Sequence, residues 1–155
     1  MAKSDFIVVE IARLLALAGF KKIGKKYVKD MVEASAEVEI QNHSRGKSQH
    51  LLNLTIVFHP EVASRENLSD KFAAYARVES LNPVGKTLNL MALDAESDLS
   101  PTDRNERLSK MLNIDLLGFL NDWSTFESAK KAYREAERKH APINFELVKR
   151  WGEVN

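Results

Sequence analysis

The stretch Glu33-Ala34-Ser35-Ala36-Glu37-Val38-Glu39-Ile40-Gln41 decides the fold. Small or apolar residues occupy every second position with polar residues between them. This is the two-residue period of a strand with one dry face and one wet face. Leu52, Leu54, Ile56 and Phe58 then alternate with Asn53, Thr55, Val57 and His59 in the same way. Pro60 closes that run because proline cannot donate to a ladder. Between the two runs, Asn42 to Gln49 contains Ser44-Arg45-Gly46-Lys47-Ser48 and has the composition of a turn. The pair predicts an antiparallel hairpin.

Toward the N-terminus, Ser4 and Asp5 can cap a helix, and Phe6, Ile7, Val9, Ile11, Leu14, Leu15 and Ala18 follow at three- and four-residue spacing up to Gly19. From Phe20 to Lys29 the run reads as one further strand, in which Gly24 marks a bulge or a tight bend. Toward the C-terminus, Phe72 to Leu81 fits strand and helix alike. Strand is preferred because Asn82-Pro83-Val84-Gly85 has turn chemistry and Lys86 to Leu93 alternates again, which predicts a second hairpin. Ser100-Pro101 with Asp103 starts a helix whose apolar stripe is Leu108, Met111, Leu112, Leu116 and Phe119. Ser124 with Glu127 has capping-box spacing for another, and a short last helix is expected over Phe145 to Trp151.

The order α-β-β-β-β-β-α-α-α has contiguous strands rather than strands alternating with helices. It predicts an α+β fold: an antiparallel meander of about five strands, with the N-terminal helix and the C-terminal helices packed on one face. The 155 residues fit one domain, 1–155, able to bury a core without disulfides or a structural metal. The balance of 44% hydrophobic and 29% charged residues is that of a soluble globular protein. With no cysteine, thiol nucleophiles, zinc ribbons and iron–sulfur ligation drop out, and a reducing, cytoplasmic setting is expected. The first residues resemble neither a secretory leader nor a membrane span.

Catalytic signatures are missing. His43, His50, His59 and His140 are scattered, with no i, i+4 pair to hold a metal, and no glycine-rich phosphate loop or nucleophile elbow occurs. No catalytic residue, metal or cofactor is therefore expected, and the protein reads as a non-enzyme. Two charged sets stand out. Glu33, Glu37 and Glu39 with Asp94, Glu96 and Asp98 form a candidate surface for a basic protein partner. Lys21, Lys22, Lys25, Lys26 and Lys29, with Arg45 and Lys47 in a neighbouring loop and Tyr27 for stacking, are the alternative, a nucleic-acid interface. The bland reading of both is a solvated sheet face, where the glutamates lie opposite the lysines and pair with them. A net charge of +1 gives no overall pull toward nucleic acid or membrane.

The run Leu14-Leu15-Ala16-Leu17-Ala18-Gly19-Phe20-Lys21-Lys22-Ile23-Gly24-Lys25-Lys26-Tyr27 resembles the opening of a bacterial domain-of-unknown-function family, number 4304. Ile40-Gln41, Leu52 to Val57, Ala76-Arg77-Val78-Glu79-Ser80-Leu81 and Leu117-Gly118-Phe119-Leu120 resemble its later segments in order, with Leu88 and Leu90 where tryptophans stand in the family. The resemblance implies a candidate immunity protein of a polymorphic toxin system, which protects its own cell by binding a cognate toxin, and it brings no catalytic residues. A basic nuclease toxin would suit the acidic set.

Overall fold

The alternation in the two central runs builds the middle of the sheet. The structure is a computed structural model that describes residues 3–43, 46–67 and 73–138. Its five strands, β1 (Lys21–Ile23), β2 (Lys26–Asp30), β3 (Ala34–His43), β4 (Gly46–Phe58) and β5 (Ala73–Arg77), form one antiparallel sheet in the order β1-β2-β3-β4-β5. Ala34 pairs with Phe58, Val38 with Leu54 and Ile40 with Leu52, so the apolar set of each strand falls on the same face. Against that face pack α1 (Lys3–Leu17), α4 (Pro101–Lys110), α5 (Leu117–Trp123) and α6 (Phe126–Arg138), and Ile11, Leu15, Leu54, Leu112 and Trp123 meet in one buried cluster. The α+β meander with helices on one side is as the residues foretold.

The membership of the sheet differs from the sequence reading. Phe20 to Lys29 is not one strand but two, because Gly24, at φ 64°, folds the chain back so that Ile23 pairs with Lys26. Glycine at the first position of a two-residue turn allows that positive φ without steric cost. The second expected hairpin does not exist. Ala73 to Arg77 is a strand, but Val78 to Ser80 turns as a 3₁₀ helix, and Lys86 to Leu93 supplies α3 (Lys86–Ala92) instead of a strand. Its buried positions Gly85, Asn89, Ala92 and Leu93 have helical spacing. The presumed loop Asn42 to Gln49 is mostly strand, and Pro60 starts a short helix, α2 (Pro60–Arg65), as well as ending β4.

The helix signals mostly hold. α1 ends at Gly19, φ 93°, where the Phe20 N–H reaches Leu15 O at 3.0 Å and the Gly19 N–H reaches Ala16 O at 3.1 Å. That is the glycine-terminated cap which satisfies otherwise orphaned carbonyls. Ser100 caps α4 by accepting from the Asp103 N–H at 3.1 Å. The cap of α6 is Thr125 rather than Ser124, its hydroxyl accepting from the Ser128 N–H at 3.2 Å. Between α4 and α5, Met111–Leu116 winds as a wide, π-helical turn. The expected helix at Phe145 to Trp151 lies outside the described residues.

Beyond β5, the far half of β4 borrows other groups to complete its ladder. Leu52 N–H donates to the Glu79 carboxylate at 3.1 Å, His50 N–H donates to Leu93 O at 2.9 Å, and Ser48 O accepts from Ala95 N–H at 2.9 Å. Buried backbone donors need such partners wherever a neighbouring strand stops.

Candidate functional site

Because side chains alternate across a strand, the face away from the helices is set by the same register that fills the core. It presents Lys21 and Ile23 from β1, Lys26 and Val28 from β2, Glu37 and Glu39 from β3, Asn53 and Thr55 from β4, and Tyr75 and Arg77 from β5. No element among the described residues covers this face. Across it a basic column on β1 and β2 borders an acidic column on β3, a neutral polar column on β4 and an aromatic–cationic edge on β5. Lys26 Nζ lies 3.4 Å from Glu37 Oε2, the one ion pair across the face among the described residues.

The acidic candidates do not form one surface. Glu33 is a tie within the fold: its carboxylate accepts from Arg65 at 2.8 Å and from the Phe126 N–H at 3.1 Å, joining β3, α2 and α6. These bonds, the Arg65 one foremost, hold its carboxyl below the usual range. Glu37 and Glu39 do share the open face. Asp94 pairs with Gln49 at the opposite end of β4 from Glu33, about 30 Å away along the strand at ~3.3 Å per residue. Glu96 and Asp98 are exposed on the loop that follows it.

The lysines are divided too. Lys21 and Lys26 lie on the open face, whereas Lys22 and Lys29 sit opposite buried Tyr27 and Ala36 and belong to the helix side. Lys29 Nζ donates to Ala18 O at 2.8 Å, placing a cation at the C-terminal end of α1 where the helix dipole favours it. Lys25 is in the turn. Tyr27 is buried under the Lys22 ammonium, 5.9 Å from its ring centre, and offers no stacking surface. Arg45 lies outside the described residues, and Lys47 is in β4.

Of the histidines, His59 Nε2 lies 2.8 Å from Asp30 Oδ1 at an exposed end of the sheet, and Asp30 also accepts from Ser35 Oγ at 3.1 Å. The His59 and Ser35 hydrogen bonds lower the Asp30 pKa. The aspartate is 79% exposed, so this is a surface pair without the dry cleft that acid–base chemistry requires. His50 is buried. Among the described residues no group of three or more histidines or carboxylates could hold a metal ion. Glu79, missed by the sequence reading, is a buried carboxyl whose pKa burial pushes up despite the Leu52 N–H bond. Its role is structural, as the ladder completion above shows.

A groove of about 490 Å³ lies on the helix side between α1 and the start of α4, where Phe6 and Val9 stay largely exposed. Both of its charged side chains are committed. Glu10 pairs with Arg13, and Arg104 donates to Met91 O, Ala92 O and Asp94 O, closing the C-terminal end of α3. An apolar groove without a free reactive group can bind but offers nothing for bond making.

The fold and this face define an α+β domain with one side of its antiparallel sheet uncovered by any described element. Compared with known proteins, the chain matches no family model, no curated protein and no solved structure. The expectation drawn from family 4304 rests on the sequence segments alone. No described helix is long and apolar enough to cross a membrane.

Proposed function

We propose that the protein acts by binding another protein rather than by catalysis, as a cytoplasmic immunity or inhibitor protein that neutralises a cognate bacterial toxin through the open sheet face. The observation that carries this reading is the face itself: two columns of opposite charge and an exposed edge tyrosine on a rigid, hydrogen-bonded platform that no described element covers. Patterned charge of this kind confers orientation and specificity on an encounter, and aromatic and arginine side chains supply anchors. The resemblance to family 4304 names the class of partner. Of the acidic set, Glu37 and Glu39 remain in this site, and Glu33 leaves it because its carboxylate is spent on the fold. Since Lys21, Lys26 and Arg77 share the face with these acids, the partner surface must alternate in charge and need not be uniformly basic.

The alternative, a nucleic-acid module on the lysine strand, lacks a continuous basic surface because alternation along β1 and β2 sends its lysines to opposite sides. The test is co-expression with the product of the neighbouring gene, followed by co-purification and a growth assay. Growth rescue and a complex weakened at least tenfold by Glu39→Arg and Thr55→Arg, with unchanged melting temperatures, are expected. A neighbour that is harmless and does not bind would sink the proposal.

A further inference from the structure

The two edges of the sheet are unlike. In an antiparallel ladder, alternate residues turn both backbone groups toward one neighbour, and those between turn both toward the other. In β4 the even-numbered residues face away from β3, as the bonds of Ser48, His50 and Leu52 to Ala95, Leu93 and Glu79 show. Leu54 and Ile56 therefore bond to Ala76 and Ala74, their partners in register. It follows that Ala73, Tyr75 and Arg77 turn their N–H and C=O groups outward, away from the sheet; the Arg77 C=O also opens the 3₁₀ turn Val78–Ser80, and the other five groups face out from the edge. On the other edge the same parity leaves only Lys22 of the three-residue β1 facing out. A short, lysine-rich strand is ordinary protection for an edge, but β5 carries no lysine, no proline and no bulge.

We infer that β5 is a homodimer edge: two copies of this chain join antiparallel, β5 to β5, about a two-fold axis at Tyr75. That register is self-complementary. Tyr75 exchanges two backbone hydrogen bonds with Tyr75 of the second copy, and Ala73 and Arg77 pair at each end, the Arg77 C=O being shared with its own 3₁₀ turn, so every outward group of each copy is met. Arg77, the strand's one charge, falls opposite alanine and meets no like charge, and the 43% exposed Tyr75 rings form a cross-strand aromatic pair. A shift of the axis by one residue toward Arg77 would make Ala76 a non-bonded pair with itself, bond Tyr75 to Arg77 and set Ala73 opposite Glu79 in the 3₁₀ turn, leaving the Ala73 groups unpaired. Because β1 offers almost no ladder, pairing stops at two copies, a closed two-fold assembly. The open faces of both copies then form one continuous ten-stranded surface.

Sedimentation equilibrium of the full chain from about 1 to 500 µM, combined with hydrogen exchange at both extremes, tests the inference. A monomer–dimer equilibrium is expected, with the Tyr75 and Arg77 amides slowing as concentration rises and the Ala74 and Ala76 amides protected throughout. Tyr75→Pro deletes an outward N–H together with the ring while leaving the β4 bonds in place, and Tyr75→Lys sets two cations face to face. Each should weaken dimerisation at least tenfold, and the lysine variant, which keeps every β4 bond, should melt at the wild-type temperature at the dilute end of the range, where both are monomeric. A monomer across the whole range overturns the inference. So does a dimer that survives Tyr75→Lys, or one whose formation leaves the Tyr75 and Arg77 amides unchanged.

Discussion

Glu33 was the first acid to stand out in the sequence as a candidate for contact with a partner, and the structure gives it two partners of its own. Replacing it with alanine removes the acceptor for the Phe126 N–H at the start of α6 and the carboxylate held by Arg65. Loss of a side-chain acceptor at a helix start costs about 1 kcal/mol. The exposed Arg65 pair adds little, because solvent screens it. The loss, about 1–2 kcal/mol, lowers the melting temperature of a chain this long by roughly 2–8 °C. Circular dichroism melts of Glu33→Ala beside Glu39→Ala measure it, the latter expected within about 0.5 kcal/mol of wild type as an open-face substitution. The sign with pH follows from the depressed pKa. The stabilising contribution is present above the usual carboxylate range, about 4.3, and fades as pH falls through the lower native value. The gap between wild type and Glu33→Ala should therefore be widest near neutrality and close below about pH 4. Equal melts for the two alanine variants at pH 7 would refute the tie and return Glu33 to the binding surface.

Glu79 should behave in the opposite sense. Its pKa is raised by burial, so its contribution is most favourable below about pH 4.3 and is lost as pH rises through the native value. Glu79→Gln, which keeps an acceptor for Leu52 N–H, should gain stability relative to wild type between pH 4 and 8 in urea titrations, and Glu79→Ala should cost about 1–3 kcal/mol by orphaning that donor. Phe126 is fully buried, edge-on to Phe58 with centroids 5.5 Å apart. Phe126→Ala should cost about 3–5 kcal/mol, read from the denaturation midpoint, and a loss under 1 kcal/mol would mean that α6 does not help to close the core.

The sheet was legible where burial on one face and solvent on the other forced strict alternation, as in Glu33 to Gln41 and Leu52 to Phe58. It was illegible where the usual correlation between polarity and exposure is broken. In Lys86 to Leu93 the polar Asn89 is fully buried, its amide donating to Glu79 O at 3.1 Å, while Leu88 is 43% exposed. Leu88 and Leu90 flanking a polar residue therefore imitate a strand. The lysine run concealed its reversal for another reason. Its charges repeat through the turn, and the one local sign was Gly24. The candidate site was legible in its residue types but not in its extent: alternation placed Glu37 and Glu39 on a wet face, whereas the departure of Glu33 and Asp94 to opposite ends depends on pairings far apart in the chain. The outward parity of β5 could not be read at all without the register.

The wide turn at Met111–Leu116 bears on how this chain tolerates changes in length. Leu112, Leu116 and Leu120 are spaced by four, a little more than one ordinary turn, and would creep around a regular helix by about 40° at each step. The looser winding absorbs part of that creep and keeps all three pointing inward. The wide turn accommodates one residue more than a regular helix would, so deleting a single residue between Leu112 and Leu116 should restore regular winding and leave Leu120 and Trp123 facing inward. Related chains should therefore accept the loss of one residue in this segment, whereas the gain of another, which would turn everything downstream by about 100°, should not be tolerated.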